Sequence, residues 1–175
     1  MRSSALPVWT VLWILAPLCS GRPTARERAI RDTRLLAQTA ISRIQQLSNQ
    51  FKPSPSLVFS GLDLIPEPLR ETNLENLSTV DEALGCFIET LSTLQMDNTV
   101  QIQADLKNLK VLVRSLATSY GCSISRCEKA HHLKTFLRRH SAFIFTIRHV
   151  TLDRLQKYLT RLLVTLDNPK NCRAS

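Results

Sequence analysis

Glycine is scarce in this chain, with four in 175 residues, and aromatic side chains make up only 6% of it. Leucine is abundant, and that balance points to helices rather than sheets. Catalytic signatures are missing too. There is no G-x-S-x-G elbow, no H-E-x-x-H pair and no glycine-rich phosphate loop. Acidic residues are scattered, without a pair that could serve as acid and base. His131, His132, His140 and His149 are the only histidines, and neighbours 131 and 132 cannot face one point from a helix. No enzyme activity, cofactor, metal or nucleic-acid partner is therefore expected. C-x-x-C and Cys/His metal spacings are absent as well. No stretch after the N-terminus approaches the roughly 20 apolar residues that span a bilayer, so stable membrane insertion is not expected.

The N-terminus reads as a secretory signal over residues 1–21. Arg2 gives a basic start, Ala5 to Leu18 is apolar apart from Thr10, and Cys19 and Gly21 occupy the −3 and −1 positions of a cleavage site. The remaining residues 22–175 are the length of one domain. Its destination is then extracellular. The formal charge of +9 suits acidic receptors, sulfated glycans or anionic lipid without choosing among them.

Four apolar stripes recur at helical spacing. Stripe A, between about Arg26 and Ser48, holds Ile30, Ala37, Ala40, Ile41, Ile44 and Leu47. Stripe B runs through Leu77, Val80, Leu84, Phe87, Ile88, Leu91 and Leu94. Stripe C is Ile102, Leu106, Leu109, Leu112, Val113 and Leu116. Stripe D is Leu152, Leu155, Leu159, Leu162, Leu163 and Leu166, with Arg148 where it would begin. Ser78 with Asp81 reads as a capping box ahead of B, and Asn98 with Gln101 as one ahead of C. Gly121 suits the left-handed closure of C, and Asn168-Pro169 ends D.

The links set the topology. A to B takes roughly 28 residues, B to C about four, and C to D more than 20. Long, short, long gives an all-α, up-up-down-down four-helix bundle of the long-chain cytokine type, the arrangement that the general rules for bundles describe. The A–B link carries Pro53, Pro55, Pro66 and Pro68 around apolar residues expected to lie on the bundle. Leu133, Phe136 and Leu137 predict a short extra helix in the C–D link. If C and D run parallel, Cys122 and Cys172 are neighbours, and their bridge is preferred. Cys86 and Cys127 either pair with each other or stay free.

Three further features have both an ordinary and a functional reading. Lys129, Lys134, Arg138, Arg139 and Arg148 form a basic cluster that is either a solvated face or a contact for glycan or anionic lipid. Asn76-Leu77-Ser78 is an N-glycosylation acceptor. Phe143, Ile144, Phe145 and Ile147 cluster just before D and either pack into the core or form a patch for a partner.

Several segments resemble the leptin family of long-chain helical cytokines. Gly61-Leu62-Asp63-Leu64-Ile65-Pro66 is similar to that family's G-L-D-F-I-P segment. Val100-Gln101-Ile102 with Asp105-Leu106-Lys107-Asn108-Leu109 resembles the start of its helix C. Leu152-Asp153-Arg154-Leu155-Gln156, then Leu166-Asp167 and Cys172, resembles its helix D and terminal cysteine. Thr39 to Ser48, with Ser42-Arg43-Ile44 inside, is similar to its helix A. The resemblance implies a hormone, acting on energy balance and metabolism, that binds a class I cytokine receptor ectodomain as a monomer and activates kinases attached to it. It also implies the Cys122–Cys172 bridge. One receptor-binding surface would use Asp32, Gln38, Thr39 and Arg43 with Gln101, Asn108 and Leu112. A receptor-activating surface would use Leu62, Asp63, Leu64 and Ile65 with Phe145, Thr146 and Ile147. The chain departs from the family where Leu64 replaces Phe, Val111 an acidic residue and Ile147 a polar one. Cys86 and Cys127 are additional, and the C–D link is more basic. The competing readings are another long-chain cytokine with a different receptor and a secreted lipid-binding protein of amphipathic helices.

Overall fold

The computed structural model describes residues 24–50, 61–67, 77–124 and 130–167. The signal segment therefore lies outside the described residues, as do Asn76, Cys127, Cys172 and Asn168-Pro169. Five α-helices are present among the described residues: α1 (Ala25–Ser48), α2 (Leu77–Leu94), α3 (Val100–Ser119), α4 (Ala130–Arg139) and α5 (Ile144–Asp167). They correspond to A, B, C, the short extra helix and D. Two 3-10 turns, Leu62–Leu64 and Ser141–Phe143, sit in the two long links.

Helix ends show where local chemistry acts. At α1, the Thr24 hydroxyl accepts from the Glu27 amide at 3.2 Å, and the Glu27 carboxylate accepts from the Thr24 amide at 2.7 Å. This reciprocal box satisfies two amides that the helix cannot bond itself. At the other end of α3, Gly121 adopts φ 72°. That left-handed step lets Cys122 N donate to Ala117 O at 2.9 Å and Gly121 N to Thr118 O at 3.0 Å, a Schellman closure.

The two boxes expected ahead of B and C do not form. Leu77 is already helical, so Ser78 lies inside α2, and Asp81 is buried in an ion pair instead of capping. Asn98 takes φ 61° in the tight turn before α3, and Thr99 is the residue at the cap, its hydroxyl accepting from Gln103 Nε2 at 3.2 Å and from no helix amide. The Thr99 hydroxyl donates to Met96 O, while Gln101 turns to Asp105. Turn geometry and tertiary pairing outweigh the local motif at both positions.

Contacts between helices fix their directions. Arg43 near the end of α1 pairs with Asp105 near the start of α3, while Arg26 reaches Ser119 O at the far end. Arg34 pairs with Asp167, joining the first half of α1 to the end of α5. Asp81, early in α2, meets Lys110 and Arg114, late in α3. Arg148 in α5 donates to Leu94 O at the end of α2, at 3.1 Å, satisfying a carbonyl left open by that helix. So α1 and α2 run one way, and α3 and α5 the other: up-up-down-down. Each of α1 and α2 packs on both α3 and α5.

The four stripes meet in one core. Ala37, Ala40, Ile44, Val80, Leu84, Phe87, Leu91, Leu106, Leu109, Val113, Leu152, Leu155, Leu159 and Leu162 are all fully buried. Phe87 and Tyr158 cross edge to face at 5.6 Å across α2 and α5. Threonines 33, 90 and 151 inside this core donate to the carbonyl four residues back, so their hydroxyls carry no desolvation penalty. Helix α4 docks on α2 by burying Leu133, Phe136 and Leu137, as their spacing predicts. No described helix is long and apolar enough to cross a membrane.

Candidate functional site

The first candidate surface lies along the seam of α1 and α3. The antiparallel register set by Arg43–Asp105 and Arg26–Ser119 puts Thr39 level with Asn108 and Leu35 level with Leu112. Asp32, Gln101 and Asn108 are exposed there, and Thr39, Arg43 and Leu112 are half-buried. At 100° per residue, Asp32, Thr39 and Arg43 share the edge of α1 that faces α3. Gln38 is also exposed, but it falls on the opposite edge, towards α5. Arg43 and Gln101 both serve Asp105, a carboxylate almost completely buried on the seam; Gln101 Nε2 donates to it at 3.2 Å. These two residues therefore hold the seam together as well as lining it. Two apolar side chains join the same outward side: Leu35 is 59% exposed and Val111 67%.

The second candidate surface divides into parts. Gly61 opens the Leu62–Leu64 turn with φ 97°, a conformation open to glycine. A Cβ at this position would come within 2.6 Å of the Phe136 ring, so the turn is pressed against α4. Arg154 of α5 ties it down from the other side, donating from Nη1 to Leu62 O at 2.7 Å and Ile65 O at 2.8 Å. Glu67 lies 3.8 Å from the same guanidinium. The result leaves Asp63 exposed, Leu62 and Leu64 half-buried against the core, and Ile65 fully buried. Gly61, Asp63 and Leu64 line a cleft with His132, Thr135, Phe136, Arg139 and His140.

The apolar cluster near the start of D is not a run preceding the helix. Ile144, Phe145 and Ile147 form the first turn of α5 itself. Phe145 projects outward at 69% exposure and Phe143 at 44%, whereas Ile147 is at 0% and Thr146 is buried. The helical period explains the split, because residues 145 and 147 point about 200° apart. Ile147 and Ile65 therefore support the surface from beneath and offer no side chain to a partner. Arg154 lies about 13 Å further along α5 than Phe145, so the described contacts anchor the A–B turn near mid-helix and not on the first turn.

Cys86 and Cys122 are both buried and both disulfide-bonded. Cys172, the partner preferred for Cys122, and Cys127, expected either to pair with Cys86 or to stay free, lie outside the described residues. The roles of Asp105 and Arg154 are absent from the sequence reading. An arginine at the edge of an apolar stripe gives no sign that it holds the carbonyls of a distant link.

The described parts of both long links thus lie on a single helical bundle. The family described as Leptin matches residues 26–172. The chain belongs to the leptin family. It is 31% identical over 172 residues to leptin of Halichoerus grypus, covering 98% of this chain and all of that protein. It is 30% identical over 169 residues to leptin of Sminthopsis crassicaudata, with 95% and 98% covered. Leptin of Mus musculus is 30% identical over 171 residues, with the same coverage. The all-helical bundle agrees with that membership, and the chain is a leptin-like hormone. Membership in a hormone family accords with a non-enzymatic role.

Proposed function

We propose that this protein is secreted after loss of residues 1–21 and acts as a monomeric hormone on a class I cytokine receptor of the leptin type, signalling on energy balance and metabolism. The observation that carries this reading is the family match across residues 26–172. Receptor binding uses the α1/α3 seam: Asp32, Thr39, Arg43, Gln101, Asn108 and Leu112, with Gln38 round the edge of α1. Receptor activation uses Leu62, Asp63 and Leu64 with Phe145, held in place by buried Ile65, Thr146 and Ile147. A few such anchors supply most of the binding energy at protein interfaces. Cys122 pairs with Cys172 and Cys86 with Cys127, and Asn76 is a glycosylation acceptor. The burial of all four stripes against one another speaks against a lipid carrier, which would need a long apolar face left open.

The test uses purified mature protein, a leptin-type receptor ectodomain and a cell reporter. Leu62, Asp63 and Leu64 changed together to Ala should leave ectodomain binding intact and abolish signalling. Loss of all binding in that variant would place the turn in the other surface. No binding by the unsubstituted protein would remove the receptor assignment.

A further inference from the structure

Between Asp105 and Asp153 the chain carries nine Lys and Arg against one carboxylate, Glu128. Nearly all of the net charge of +9 thus resides in one stretch. Within the bundle most of its cations are engaged: Lys110 and Arg114 pair with Asp81, and Arg148 bonds Leu94 O, while Lys107 stands exposed by itself. On α4 they are not. The side chains of Lys134, Arg138 and Arg139 are exposed and have no ion pair or hydrogen bond among the described residues.

Packing forces this display. Leu133, Phe136 and Leu137 are buried against the bundle, so His132, Lys134, Thr135, Arg138 and Arg139 are turned outward. Lys134 and Arg138 are one turn apart on the same side, with neighbouring Cβ atoms about 5–6 Å apart. Arg139 follows towards the cleft, beside His132 and the exposed Asp63. The helix holds no acidic residue, and the open side is the Lys134–Arg138 side, away from Asp63.

We propose that the outer face of α4 binds sulfated glycosaminoglycan, through Lys134, Arg138 and Arg139. Three unpaired cations in fixed spacing match a repeating polyanion by charge. A membrane fits less well, because an interfacial helix inserts its apolar face and here that face is already buried. A nucleic acid strand fits less well, because the one Phe, Tyr or Trp of the helix, Phe136, is buried and offers no stacking platform. The assignment goes beyond the receptor reading and is measured without any receptor.

The experiment retains the purified mature protein on immobilised heparin and elutes it with salt. K134Q/R138Q/R139Q is compared with R28Q/R31Q/K107Q, which loses the same formal charge from exposed positions elsewhere. Far-UV circular dichroism establishes that both variants are folded. The α4 variant should elute at much lower salt, with the slope of log affinity against log salt reduced by up to about three, as counterion release requires. The control should elute close to the unsubstituted protein. Equal shifts in the two variants would overturn the assignment by reducing it to net charge. Equal retention on chemically desulfated heparin, or capture by phosphatidylserine vesicles but not by heparin, would overturn it as well.

Discussion

Asp81 offers a sharp test of how this bundle tolerates buried charge. Its side chain is fully buried, 3.0 Å from Lys110 Nζ and 3.1 Å from Arg114 Nη2, while the two cations keep 21% and 47% of their side-chain surface in water. The pair is therefore asymmetric. If Asp81 becomes Ala, Lys110 and Arg114 swing their charges outward on flexible stems. What is lost is one partly exposed pair and one largely exposed pair, about 1–2 kcal/mol. If instead Lys110 and Arg114 both become Met, the carboxylate stays in the core with no counter-charge and cannot reach solvent. Stranding a buried charge costs about 3–5 kcal/mol. Urea unfolding with disulfides intact reads the difference. At an m value near 2 kcal/mol/M, the double variant should lose roughly 1.5–2.5 M in midpoint and the Asp81 variant at most about 1 M. An Asp81→Ala protein less stable than Lys110→Met/Arg114→Met would refute the reasoning, since it would mean that the carboxylate contributes more than its burial costs.

Four further outcomes are expected. Gly61→Ala should cost about 1–3 kcal/mol, from a left-handed backbone and the clash with Phe136, and should weaken signalling; unchanged thermal stability would contradict the contact. Arg154→Met should speed amide exchange in the Leu62–Ile65 turn selectively, measured by hydrogen exchange, because both anchoring hydrogen bonds vanish. Phe145→Ala should change stability by less than about 0.5 kcal/mol yet impair the reporter response. Ile147→Ala, two residues on, should cost roughly 2–5 kcal/mol by opening a cavity; the reverse order in a denaturation assay would reverse their assigned places.

The helices and their order are legible in the sequence because a buried stripe must repeat at the helical period, and a link as short as residues 95–99 can only join antiparallel neighbours. The short helix was readable for the same reason, from Leu133, Phe136 and Leu137. The Thr24-x-x-Glu27 box was there to be read and marks the start of α1 one turn before the first stripe residue. The boxes proposed at Ser78 and Asn98 failed because local motifs ignore the tertiary partner. Nothing around Asp81 or Asp105 tells a reader that Lys110 or Arg43 waits on another helix. The candidate surfaces were legible only as a list. Which members face outward depends on the phase of each helix, and that phase puts Phe145 in solvent and Ile147 in the core.

The meeting of Gly61 with Phe136 joins two crossovers that lie far apart in sequence. Each acts as a wall for the other, so neither can be redesigned alone: any side chain added at 61 must be matched by a smaller one at 136. Insertions that slide the short helix along the bundle would withdraw the floor beneath the Leu62–Leu64 turn. The two longest connections of this hormone are thereby bound to vary in concert, although connecting segments are ordinarily the parts of a protein freest to diverge.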